Sequence, residues 1–134
     1  MTNLSRRWRR GFDAAQAALQ HAVPPRGSTA LRMGAALFCG ANLVSIGFND
    51  CSRSHPDTKL KMIHAELMAL IRRRHYDDPD NLVMYVYRQS ALGKPACSKP
   101  CPMCMACMVT AGIRRVRFVD SRGRYAEIKL QTAG

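Results

Sequence analysis

A mixed α/β fold in one domain is what this chain predicts, and three observations predict it. Helical and strand patterns alternate along the sequence, in the order α-β-β-α-β-α-β-β. A short turn follows the first strand and another precedes the last, so the sheet opens and closes on antiparallel hairpins. The chain has 134 residues and is 47% hydrophobic, which suits one domain with a core of its own.

Each element has its own reason. Asn3 or Ser5 can cap a first helix that places Trp8, Phe12, Ala15 and Leu19 on one face, and Pro24-Pro25 ends it by about Val23. Residues 1–23 thus form a basic amphipathic helix, Arg26–Thr29 a linker, and residues 33–130 the core of a single domain spanning 1–134. Residues 35–38 and 43–48 read as strands around a Cys39–Asn42 turn. A polar loop over 49–60 leads to a helix from about His64 to Arg74, where Ile63, Leu67, Leu70 and Ile71 recur at helical spacing. Asp77-Asp78-Pro79-Asp80 breaks it. Residues 82–87 form a strand and 91–99 a loop. A helix from Cys101 ends at Gly112. Strands at 116–119 and 125–130 flank an Asp120–Gly123 turn, so the last two of five strands are antiparallel.

The chemistry sits in His64-Ala65-Glu66 and Pro100-Cys101-Pro102-Met103-Cys104. H-x-E followed by P-C-x-x-C is a signature of zinc-dependent base deaminases. His64, Cys101 and Cys104 offer three ligands, which leaves a fourth position open. A bound zinc lowers the pKa of water from about 15.7 to about 7. The amino group of a base leaves only if it is protonated, and Glu66 is placed to move those protons. His64 and Glu66, two apart, do not share a helix face, so they converge only beyond a helix end. Cys101 and Cys104, three apart, do share one. Two helix N-termini aimed at one zinc would also favour thiolates. A bare C-x-x-C also fits a structural zinc half-site or a redox pair. Cys97, Cys101 and Cys104 form C-x3-C-x2-C, an iron–sulfur spacing, but radical enzymes need a barrel of about 250 residues.

Four of six cysteines crowd into residues 97–107, and no signal-peptide core or membrane-length apolar run is visible. A reducing, cytoplasmic setting is expected, with no membrane partner and with Cys39, Cys51 and Cys107 as buried free thiols. Twenty-one Lys and Arg face nine Asp and Glu, for a net charge of +12. No acid occurs between Asp80 and Asp120, and Arg6, Arg7, Arg9 and Arg10 have no acidic neighbour. A nucleotide or single-stranded nucleic acid is the partner such charge favours. Homo-oligomer formation is left open.

These residues together resemble the cytidine/deoxycytidylate deaminase superfamily, over roughly Met33 to Tyr125. The stretch AALFCGANLVSIGFN resembles the family's first two strands and the asparagine after them. RSHP…IHAELMAL and SKPCPMCMACMVTAGIRRVRF resemble deaminase-like proteins of phages and large DNA viruses. The resemblance implies a three-layer fold, a five-stranded sheet flanked by helices, with both zinc helices on one face. It implies zinc on His64, Cys101 and Cys104, proton transfer by Glu66, a sugar contact by Asn49 and a base-edge contact by the backbone of Ala65. His55 would line the pocket mouth, and Arg53, Arg88 and Lys99 would contact phosphate or nucleic acid. Departures are visible too. Met105-Ala106-Cys107 stands where free-cytidine deaminases carry glutamine, and only Asp120–Gly123 stands where tRNA deaminases carry a helix. The expected activity is conversion of cytosine to uracil in a nucleotide or single-stranded polynucleotide. The alternatives are adenine deamination in RNA and a catalytically idle zinc module that binds nucleic acid.

Overall fold

Ser5 starts the first helix, α1 (Arg6–Leu19), by accepting a hydrogen bond from the Trp8 backbone N–H at 3.2 Å. The helix buries Phe12, Ala15, Ala18 and Leu19, the three- and four-residue spacing of one helical face. The structure, a computed structural model, describes residues 5–22, 32–50, 64–73, 81–90 and 92–130. The expected Arg26–Thr29 linker, the Asp77–Asp80 break, and Arg53, His55 and Cys51 lie outside the described residues.

Strands β1 (Arg32–Cys39) and β2 (Asn42–Phe48) form the first hairpin, with Gly34 opposite Phe48 and Cys39 opposite Asn42. Gly40 takes φ +58° in its turn. Then follow α2 (Ala65–Arg72), β3 (Leu82–Gln89), β4 (Pro95–Ala96), α3 (Pro102–Thr110), β5 (Arg115–Val119) and β6 (Tyr125–Lys129). The sheet order is β2-β1-β3-β5-β6. β1 and β3 are antiparallel, β3 and β5 are parallel, and β5 and β6 close the sheet as an antiparallel hairpin. A parallel pair needs a crossover, which α3 supplies. β4 pairs with β3 at Arg88 and Gln89, inside the stretch expected to be a loop. Two residues, one of them a proline, carry no readable alternation, and proline fits only at such an edge.

The two-residue period of the strands sorts the core into two layers. Ala35, Leu37, Met84, Val86, Val116 and Phe118 pack with α2 and α3 residues, including Leu67, Met68 and Met108. Ala36, Phe38, Tyr85, Tyr87 and Val119 pack with Phe12, Ala15 and Leu19 of α1. The result is helix, sheet, helix, with α2 and α3 together on one face. Two glycines let the helices lie close. A Cβ on Gly34 would meet the backbone of α1 at Ala15 and Leu19, and one on Gly47 would meet the backbone of α2 at Ala65 and Ala69. Cys39 and Cys107 are half-buried rather than buried, and no described cysteine is in a disulfide.

Candidate active site and metal centre

His64 and Cys101 occupy equivalent places, each the N-cap of its helix in extended backbone (φ −75°, ψ 153° and φ −69°, ψ 162°). Pro102 opens α3 at a position where its missing N–H costs nothing. An N-cap side chain projects past the helix end, while Glu66 and Cys104 sit in the first turns behind it. This resolves the spacing of His64 and Glu66. Cys104 Sγ lies 3.3 Å and Cys101 Sγ 4.0 Å from His64 Nδ1, and the Cys104 N–H donates to Cys101 Sγ at 3.4 Å. The three ligand atoms all lie within 4.8 Å of one another.

The donor set fits zinc. Tetrahedral bonds of about 2.3 Å to sulfur and 2.0–2.1 Å to nitrogen place S and N about 3.6 Å apart, between the two observed distances. Among the described residues, this is the one cluster of such donors, and Cys97 and Cys107 do not join it. The iron–sulfur spacing therefore has no counterpart in the fold. Two thiolates with one imidazole suit zinc over harder cations.

Glu66 is 1% exposed, and its Oε1 is buried with no hydrogen-bond partner among the described residues. Burial raises its pKa above the usual carboxylate range. Its own backbone N–H, the nearby His64 and a hydrogen bond with Cys104 pull the other way. Cys104 is pushed up as well, first by burial, then by the neighbouring Glu66 charge and Cys101. In the metal-free chain desolvation thus opposes the helix dipole at this thiol, and binding a metal there displaces a proton.

Three contacts that sequence reasoning missed hold α2, α3 and the approach to Cys101 in place. Ser98 is fully buried. Its hydroxyl donates to the Val86 carbonyl at 2.7 Å and accepts from the Val119 N–H at 2.8 Å, tying the approach to Cys101 across β3 and β5. Arg73 donates from NH1 to the Ala111 carbonyl at 2.9 Å, satisfying an orphan group at the end of α3. Ser45 Oγ donates to the Ala69 carbonyl at 2.7 Å, fastening α2 to β2. Arg73 stands in the run Arg72-Arg73-Arg74 at a helix C-terminus, where positive charge is favoured anyway, and neither serine has a local pattern that marks it.

The expected substrate contacts divide. Asn49 is buried, and its Oδ1 accepts from the Met33 N–H at 2.8 Å, so it braces the start of β1. Met33 pairs with Arg88, which places Asn49 and Arg88 at one end of the sheet. Arg88 is half-buried, and its Nε is buried with no partner among the described residues. Ala65 is fully buried at the first turn of α2, and Lys99 is exposed before Pro100.

Residues 7–120 match the cytidine and deoxycytidylate deaminase zinc-binding region. Similar solved structures include a cytidine deaminase from Burkholderia pseudomallei, at 20% identity and TM-score 0.64, covering 95% of this chain and 94% of that one. A dCMP deaminase from the cyanophage S-TIM5, in complex with dCMP and dUMP, is similar at 17% identity and TM-score 0.57, covering 85% and 82%. Its apo form has 16% identity and TM-score 0.54, covering 81% and 79%. At these identities the likeness concerns the fold. No curated protein matches the sequence. No described helix is long and apolar enough to cross a membrane. The match spans most of the chain and includes both halves of the donor cluster, so this protein belongs to the cytidine and deoxycytidylate deaminase zinc-binding family, and zinc is its cofactor.

Proposed function

We propose that this protein is a hydrolytic deaminase converting cytosine to uracil, with zinc on His64, Cys101 and Cys104 and proton transfer by Glu66. The observation that carries this reading is the Glu66 carboxyl, buried beside the three donors with one oxygen lacking a partner among the described residues. A purely structural metal site has no use for it, and a buried polar atom without a partner is costly. The metal, when bound, supplies a nucleophile of hydroxide strength at neutral pH. Glu66 takes the proton from the attacking water and gives it to the ring nitrogen. It then helps protonate the amine, which leaves as ammonia. One C–O bond forms and one C–N bond breaks, with no oxidant or reductant.

The Ala65 backbone borders the base edge and Asn49 the sugar. Arg88, whose Nε lacks a partner among the described residues, supports a phosphate contact, and Lys99 lies just before Cys101. The cyanophage relative bound to dCMP and dUMP supports a nucleotide substrate, and the +12 charge supports a polynucleotide. Incubation of the zinc-loaded protein with cytidine, CMP, dCMP, single-stranded DNA and adenine-containing RNA, followed by ammonia release, separates these. The reading expects ammonia from a cytosine substrate. Release only from adenine, or from none, overturns it.

A further inference from the structure

On the opposite face of the sheet, and at its opposite end, lies a polar cavity of about 200 Å³ lined by Arg7, Asn81, Tyr85, Arg115 and Arg117. At Gly40 and Arg7 it adjoins an apolar hollow of about 270 Å³, walled by Phe38, Ala41, Arg6 and Arg10. Gly40 is the turn after Cys39, whereas Asn49 bonds to Met33 near the other end of β1, and the start of α2 packs over Gly47, opposite Ala35. At about 3.3 Å per strand residue the two ends are roughly 20 Å apart.

The cationic walls differ in role. Arg117 is 6% exposed and already committed. Its Nε donates to Glu127 at 2.8 Å, its NH1 donates to the Tyr85 hydroxyl, and its guanidinium lies 4.8 Å from the Trp8 ring centroid. The Tyr85 hydroxyl in turn donates to the Arg7 carbonyl at 3.3 Å, so this wall is rigid and close to neutral. Arg7 and Arg115 are exposed and have no ion-pair partner among the described residues. Arg115 sits directly opposite Lys129 on the neighbouring strand, a like-charge pairing that is unfavourable by itself. Arg6 and Arg7 stand in the first turn of α1, which carries no acid and where cations oppose the helix dipole. Two separate elements thus bear electrostatic strain around one cavity, and a bound anion relieves both.

We propose that this cavity is an anion site for a phosphate group. Arg7 and Arg115 supply charge-assisted hydrogen bonds, and the adjoining apolar hollow receives the body of the same ligand. The phosphate can belong to a small molecule or to a single-stranded nucleic acid. The proposal is independent of the deaminase reading, because the cavity shares no residue with the zinc cluster.

The test uses the zinc-loaded full chain with two probes, inorganic phosphate and oligothymidylate, neither of which carries an exocyclic amine. Both are titrated while the backbone amide resonances of Gly40 and Asn81 are followed, and oligothymidylate affinity is measured at increasing salt. The proposal expects both amides to shift and R7Q/R115Q to weaken binding at least tenfold. Because both side chains are exposed and both charges are unfavourably placed in the free protein, the variant should melt at or slightly above the parent. If a strand is the ligand, oligothymidylate binds more tightly than phosphate, with a salt slope of about −0.7 per phosphate that the variant flattens. Shifts with inorganic phosphate alone assign the site to a small phosphate-bearing molecule. Absence of shifts at Gly40 and Asn81 with both probes, or equal binding by the variant, overturns the proposal.

Discussion

Replacing Gly47 with alanine tests how tightly the sheet sets the active site. A Cβ at this position would lie 2.6 Å from the Ala69 nitrogen and nearer still to the Ala65 carbonyl. Both are backbone atoms of α2, so no side chain can swing aside. Reaching the lower edge of ordinary contact, about 3.5–4.0 Å, moves the helix by about 1 Å or more. Overpacking of this kind costs about 1–3 kcal/mol, or roughly 4 °C in Tm per kcal/mol for a domain of this size. The same movement carries His64 and Glu66 relative to Cys101 and Cys104 on α3. A misplacement of about 1 Å can cost about 10²-fold in rate. Gly34→Ala is the matched control, because its Cβ would lie 2.6 Å from the Leu19 nitrogen of α1, on the other face. Both variants should melt lower than the parent. Steady-state deamination, measured well below either Tm, should fall about 10²-fold for Gly47→Ala and change little for Gly34→Ala. Equal activity in the two variants, with both folded, refutes the claim that contact between α2 and β2 sets the site.

Other expectations follow from single contacts. Cys101→Ala removes one of three donors, and metal analysis should show strong zinc loss; zinc kept through Cys97 or Cys107 contradicts the donor set. Ser98→Ala leaves the Val119 N–H and the Val86 carbonyl without the hydroxyl they share, and denaturant unfolding should show a loss of about 1–3 kcal/mol. The Tyr85 pKa is raised, chiefly by burial and against the pull of Arg117, so its folded value exceeds its unfolded one. Its contribution to stability is then present below about pH 10 and lost as pH rises above it. Melts between pH 8 and pH 11 should fall more steeply for the parent than for Tyr85→Phe, and parallel curves contradict the assignment.

The donor cluster was legible because its geometry is local. H-x-E and P-C-x-x-C each describe one helix start, and an N-cap with its first turn fixes where such side chains point. The layers were legible from period, since Ala35/Leu37 and Ala36/Phe38 alternate as any strand between two helical layers must. What stayed hidden depends on pairings between distant segments. Ser98 matters only because β3 and β5 end beside it. Arg73 matters because the last turn of α3 lies within reach, and Arg117 because Glu127, Tyr85 and Trp8 surround it. β4 escaped notice because a two-residue strand containing proline has no pattern to read. The burial of Cys104, which pushes its thiol up in the metal-free chain, is likewise a tertiary property that no local pattern announces.

The central claim is that Glu66 moves protons while zinc is held by three other residues. Glu66→Gln tests it most directly, with zinc content and ammonia release measured on the same preparation against cytidine, CMP and dCMP. The account predicts about one zinc per chain in both proteins. It predicts turnover reduced by about 10²–10⁴-fold in the variant, the usual worth of a general acid–base group. A Glu66→Gln protein that keeps its zinc and releases ammonia at the parent rate contradicts it.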